Sequence, residues 1–89
     1  MSAHTARTMD MLERARARHR RAETKAREAH AYFLLCFRDW QDATGADRAA
    51  ERICLLIAIE DMRDAREAVL EACWSMRGVH DGVLGRMAQ

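Results

Sequence analysis

The chain has 89 residues, of which 49% are apolar and 33% charged, with no proline and a formal net charge of +1. That describes one small domain, near the size at which a single hydrophobic core is barely sufficient by itself, so help from a partner is expected. Three cysteines without CxxC or zinc-finger spacing argue against a disulfide or metal framework and for reduced, packed thiols in a cytoplasmic protein.

The opening "MSAHTARTMD" runs into arginine-rich sequence where a secretory signal would carry an apolar segment, so residues 1–8 are expected to form only a loose tail. A first helix is predicted over about 9–43. Leu12, Ala15, His19, Ala22, Ala26, Ala29, Phe33, Cys36 and Trp40 recur at alternating spacings of 3 and 4, the signature of a coiled-coil stripe. Seventeen alanines favour helix further and let a partner helix approach closely near Ala22 and Ala26.

"DATGAD", residues 42–47, is the turn. Gly45 suits a left-handed helix end, and Thr44 followed by Asp47 resembles a capping box opening the next helix. That second helix is expected over about 47–77, ending where Gly78 begins a glycine-containing tail at 79–89. Its stripe reads Leu55, Ile59, Met62, Arg66, Val69, Cys73 and Met76, with Ala65 able to fill the seam beside Arg66. The fold class is therefore all-α: one antiparallel helical hairpin comprising residues 1–89.

Two uncharged runs, "AYFLLCF" at 31–37 and "ICLLIAI" at 53–59, flank the turn. In a hairpin reversing at Gly45, residue n lies level with roughly residue 90 − n, so the runs meet. Seven consecutive apolar residues cover every side of a helix, yet a hairpin buries about one side. A second copy supplies the simplest cover, giving a homodimeric four-helix bundle with Phe33, Leu34, Phe37, Ile53, Leu56 and Ile57 in its core. The same mirror sets Cys36 opposite Cys54, His19 opposite Glu71 and His30 opposite Glu60.

Charge is distributed unevenly. Residues 1–38 hold nine Lys/Arg against four Asp/Glu, and residues 39–89 hold six against ten. The segment "RARARHRRAETKAR", 14–27, is densest, with Arg14, Arg18, Arg21 and Lys25 along one edge of the stripe and Arg16, Arg20 and Arg27 along the other. Such a segment either pairs with the acidic second helix, at Asp64, Glu67 and Glu71, or binds an external acidic protein surface or a nucleic-acid-containing complex.

A basic segment leading a helix-loop-helix resembles the basic helix-loop-helix factors in outline, but their base-reading Glu-x-x-Arg element is absent, Glu23 being followed three residues later by Ala26. The WXG100 hairpins are similar in length, although their Trp-x-Gly turn is replaced here by Trp40-Gln41-Asp42 with the glycine delayed to 45. Neither catalysis nor cofactor or metal binding is expected. Ser2 and Ser75 are the only serines, no phosphate-cradling loop precedes a lysine, and no Glu-x-x-His pair occurs. The expectation is a small non-catalytic regulator or inhibitor that binds a macromolecular complex, of the kind phages and mobile elements encode, anti-CRISPR proteins included. A nucleic-acid-binding helical dimer acting through 14–27 is the alternative, and an adaptor or secretion chaperone stands third. No membrane and no small-molecule substrate is expected.

Overall fold

The structure, a computed structural model, describes residues 2–87, with side chains over 2–85. It is a two-helix hairpin. Helix α1 spans Ala3–Asp42 and α2 spans Ala46–Met87, joined by the turn 43–45, and the pair measures 67 × 16 × 12 Å. No helix among the described residues is long and apolar enough to cross a membrane.

Both helices are longer than their sequence signals suggested. At the N-terminus Ser2 caps α1: its hydroxyl accepts from the Thr5 N–H at 3.2 Å, and its carbonyl accepts from Ala6 N–H at 3.1 Å. The expected loose tail at 1–8 is thus helical from Ala3 onward. The tail at 79–89 is likewise helical through Met87, and residues 1, 88 and 89 lie outside the described part. Gly78 does not end α2, because a glycine terminates a helix by turning left-handed and, among the described residues, Gly45 alone has positive φ, at 60°. Glycine inside a helix costs only about 1 kcal/mol relative to alanine. The two extensions also support each other, since Thr8 and Met11 of α1 line one groove with Val79 and Val83 of α2.

The α1 stripe lies in the seam as its spacing implied, every member from Leu12 to Trp40 being buried or half-buried, with Thr8 continuing it. The α2 stripe is displaced by one residue at every other position. Leu55, Met62, Val69 and Met76 face the seam as expected, but their companions are Ala58, Ala65 and Ala72, while Arg66 and Cys73 are exposed and Ile59 sits half-buried beside the core. Size explains the shift. The small seam position recurs on both helices, as Ala15, Ala22, Ala29 and Cys36 on α1 and Ala58, Ala65 and Ala72 on α2, and small side chains there let two backbones approach closely.

Near the turn the core is Cys36, Leu55 and Ala58, packed by Phe33, Trp40 and Ile59. The rings of His30, Phe33, Phe37 and Trp40 follow one another at centroid distances of 6.4, 6.1 and 6.0 Å. The Arg48 guanidinium lies 4.7 Å from the Trp40 ring centroid, a cation–π contact that ties the start of α2 to the end of α1. Of the paired groups anticipated across the hairpin, Cys36 is buried but Cys54 and Cys73 are exposed, and His19 pairs with Glu23 of its own helix at 2.7 Å instead of with Glu71.

Two outcomes follow from this seam. Ala58 is 0% exposed, so Ala58→Leu wedges the helices apart and lowers stability by about 1–3 kcal/mol, measured by thermal melting under circular dichroism. In thiol titration of the native protein Cys73 labels fast and Cys36 labels only on unfolding.

Candidate functional site

The seam fixes which way every other residue points. At 3.6 residues per turn, Arg48, Arg52, Arg63, Arg66 and Arg77 fall within about 60° of one another around α2. Glu60, Asp61, Asp64, Glu67 and Glu71 occupy the remaining exposed arc. The second helix, acidic in its totals, is therefore divided lengthwise into a cationic edge and an anionic one.

In an antiparallel pair the corresponding edges of the two helices lie side by side. The cationic edge of α2 adjoins the edge of α1 that carries Arg16, Arg20 and Arg27, and one groove of ≈ 350 Å³ is lined from both helices by Leu12, Arg16, Cys73, Met76, Arg77 and His80. One face of the hairpin thus presents Arg16, Arg20, Arg27, Arg52, Arg63, Arg66 and Arg77, all exposed. Glu13 and Glu23 are the carboxylates α1 adds to it, and α2 adds none between Arg52 and Arg77. From Arg77 to Arg52 this arginine face runs roughly 38 Å at 1.5 Å per residue. Between Arg63 and Arg52, toward the turn, it is apolar, through exposed Leu34, Phe37 and Leu56 and half-buried Ile59.

The opposite face is mixed in charge. Arg14, Arg18, Arg21 and Lys25 of α1 stand beside Asp61, Asp64 and Glu71 of α2, and its apolar end holds Tyr32, Leu35, Cys54 and Ile57, all exposed. The Tyr32 phenol is raised above the usual tyrosine range, first by its hydrogen bond with Cys36 and then by its electrostatic interaction with that side chain. The basic segment 14–27 is accordingly split, its two edges belonging to different faces with different neighbours.

The six residues expected to form one dimer core are also dispersed. Phe33 is spent in the hairpin seam, Leu34, Phe37 and Leu56 lie on the arginine face, Ile57 lies on the mixed face, and Ile53 sits on the outer edge of α2 at 61% exposure. No single partner helix covers them all.

The ion pairs among the described residues stay within one helix: Arg14–Asp10 at 3.1 Å, His19–Glu23 at 2.7 Å, Arg27–Glu23 at 3.8 Å and His80–Asp81 at 3.7 Å. The basic segment does not discharge itself onto α2 through direct bridges. Arg16, Arg20, Arg63, Arg66 and Arg77 have no carboxylate in bridging range among these residues, although Arg77 lies 5.7 Å from the centroid of the Trp74 ring. Nor do three or more His, Cys, Asp or Glu side chains converge into a metal-binding group among the described residues.

The arginines of α2 were missed by counting charge over the second half of the chain. Their signal was the spacing from Arg52 to Arg63, Arg66 and Arg77, intervals of 11, 3 and 11 residues that return to the same side of a helix. No known protein family matches the chain, and neither a curated protein nor a solved structure is significantly similar to it. Like charges crowded on one face repel, so Arg63→Glu, set beside Arg27 and Arg66, leaves stability unchanged or raises it by up to about 1 kcal/mol. A clear fall in melting temperature would show that Arg63 has a structural partner.

Proposed function

We propose that this chain is a non-catalytic interaction protein that binds an acidic protein surface of a larger macromolecular complex and acts as its regulator or inhibitor, in the cytoplasm. The observation that carries the reading is the arginine face: cations from both helices, unbridged to α2, continuous with an apolar end at Leu34, Phe37 and Leu56. Arginine and aromatic side chains are enriched where protein interfaces concentrate their binding energy. Phosphates would engage the cations but leave the apolar end without a partner, which favours a protein over a nucleic acid. An acidic surface with an apolar centre satisfies both parts. The exposed Cys54 and Cys73 thiols fit a reducing compartment.

Replacement of Arg20, Arg27 and Arg63 by alanine tests this. All three are exposed and alanine is the better helix former, so the variant keeps the wild-type helicity and melting temperature. Tagged wild type captures its partner from a host lysate, nuclease treatment does not release it, and the triple variant captures none. Loss of the captured material on nuclease treatment would transfer the assignment to nucleic acid, with an affinity falling steeply with salt. Equal capture by wild type and variant would remove the arginine face from the function.

A further inference from the structure

The mixed-charge face has its own occupant. We propose that it binds a second copy of this chain about a twofold axis running along the hairpin, so that α1 of each protomer lies over α2 of the other with both turns at the same end. The inference stands independently of the partner assigned to the arginine face.

Surface area argues for a cover. The hairpin exposes 7093 Å², whereas a compact monomer of 10.2 kDa exposes about 5,300 Å². The difference exceeds the roughly 800 Å² each partner contributes to a standard interface. A body only 12 Å thick in one dimension has no second layer with which to bury it.

Charge decides what the cover is and which face it takes. With residue n level with roughly residue 90 − n, the proposed twofold puts Arg18 over the partner copy's acidic level at Glu71 and Lys25 over that at Asp64. Near the turn it puts Tyr32 and Leu35 over the apolar level of Ile57 and Cys54. Each attraction occurs twice, because the operation is symmetric. Glu28 comes level with Asp61 and Asp42 with Asp47, so complementarity is not complete. The same operation on the arginine face is far worse, setting Arg27 over the level of Arg63 and Arg16 and Arg20 about one helical turn from the levels of Arg77 and Arg66. Turning one hairpin end for end on the mixed face is also worse, since α2 then crosses α2 with Glu71 near the level of Asp61, and α1 crosses α1 with Arg21 near the level of Lys25.

The distal end is shaped for the same approach. Ser75, Gly78 and Gly82 lie on this face and line, with Met11, a groove of ≈ 430 Å³. A Cβ added at Gly78, Gly82 or Gly85 meets nothing within 4 Å, so the hairpin alone does not need glycine there, and each glycine weakens the helix. Close approach of a partner helix supplies a use for three of them on one side.

Sedimentation equilibrium on the full chain tests the proposal. Wild type is a dimer at tens of micromolar. Ile57→Asp, on the mixed face, dissociates it, while Leu56→Asp, the adjacent residue on the arginine face, leaves it dimeric. Circular dichroism on each variant separates dissociation from unfolding. Lys25→Asp and Asp64→Lys each weaken the dimer by at least about tenfold, as expected for removing one member of a charge pair and adding a like charge, and the double exchange restores most of the loss. Thiol labelling gives a readout without mutation: Cys54 slows as protein concentration rises and Cys73 does not. A monomeric wild type, or a dimer broken by Leu56→Asp and indifferent to Ile57→Asp, would overturn the proposal.

Discussion

Everything in this hairpin depends on a seam in which every second contact position is small. Alanine or cysteine at 15, 22, 29 and 36 of α1 meets alanine at 58, 65 and 72 of α2. Larger residues fill only the alternate positions, Leu12, Phe33 and Trp40 on one helix and Leu55, Met62, Val69 and Met76 on the other. Close packing gives the pair many dispersion contacts along its length, but it buries few large side chains, and among the described residues no large side chain is completely buried. The apolar surface left outside the seam is consequently large.

The seam also determines the chemistry of the surface by fixing helix phase. A shift of one residue rotates every side chain by about 100°, which would turn either the arginines or the carboxylates of α2 into the seam. With Ala58, Ala65 and Ala72 inward, the cations of α2 join those of Arg16, Arg20 and Arg27, and its carboxylates join Arg18, Arg21 and Lys25. One face becomes repulsive to copies of itself and attractive to an acidic surface. The other sets cations of α1 beside carboxylates of α2. Both turn apolar near Gly45, where Tyr32, Leu34, Leu35, Leu56 and Ile57 surround the core. A single geometric choice thus produces two surfaces of different charge, on which the two binding proposals rest.

The sequence made the hairpin, its turn at Gly45 and the whole α1 seam legible, because alternating spacings of 3 and 4 over nine positions admit one helical reading. It misplaced the α2 seam because Ile59, Arg66 and Cys73 lie one residue from Ala58, Ala65 and Ala72, and weighting by side-chain size favours Ile59 and Cys73 over the alanines that a close helix pair selects. It shortened both helices because glycine at 78, 82 and 85 is a terminator only in a left-handed conformation, and because the cap at Ser2 precedes the first apolar residue of the stripe. The arginine face was half legible. Its α1 members were named, while its α2 members were hidden within a net acidic half. The apolar runs correctly signalled surface in excess of what one hairpin buries, but seven residues around a helix do not say which face meets which partner.

The phase of α2 is the claim on which these faces rest, and it is directly measurable. Methyl-resolved NMR with a soluble paramagnetic agent reports the approach of solvent to each side chain. The account requires the methyl groups of Ala58, Ala65 and Ala72 to be protected together, with those of Leu56 and Leu70 strongly relaxed. Protection of Leu56 and Leu70 with broadening of the three alanine methyls would contradict it, and would dissolve both faces along with the seam.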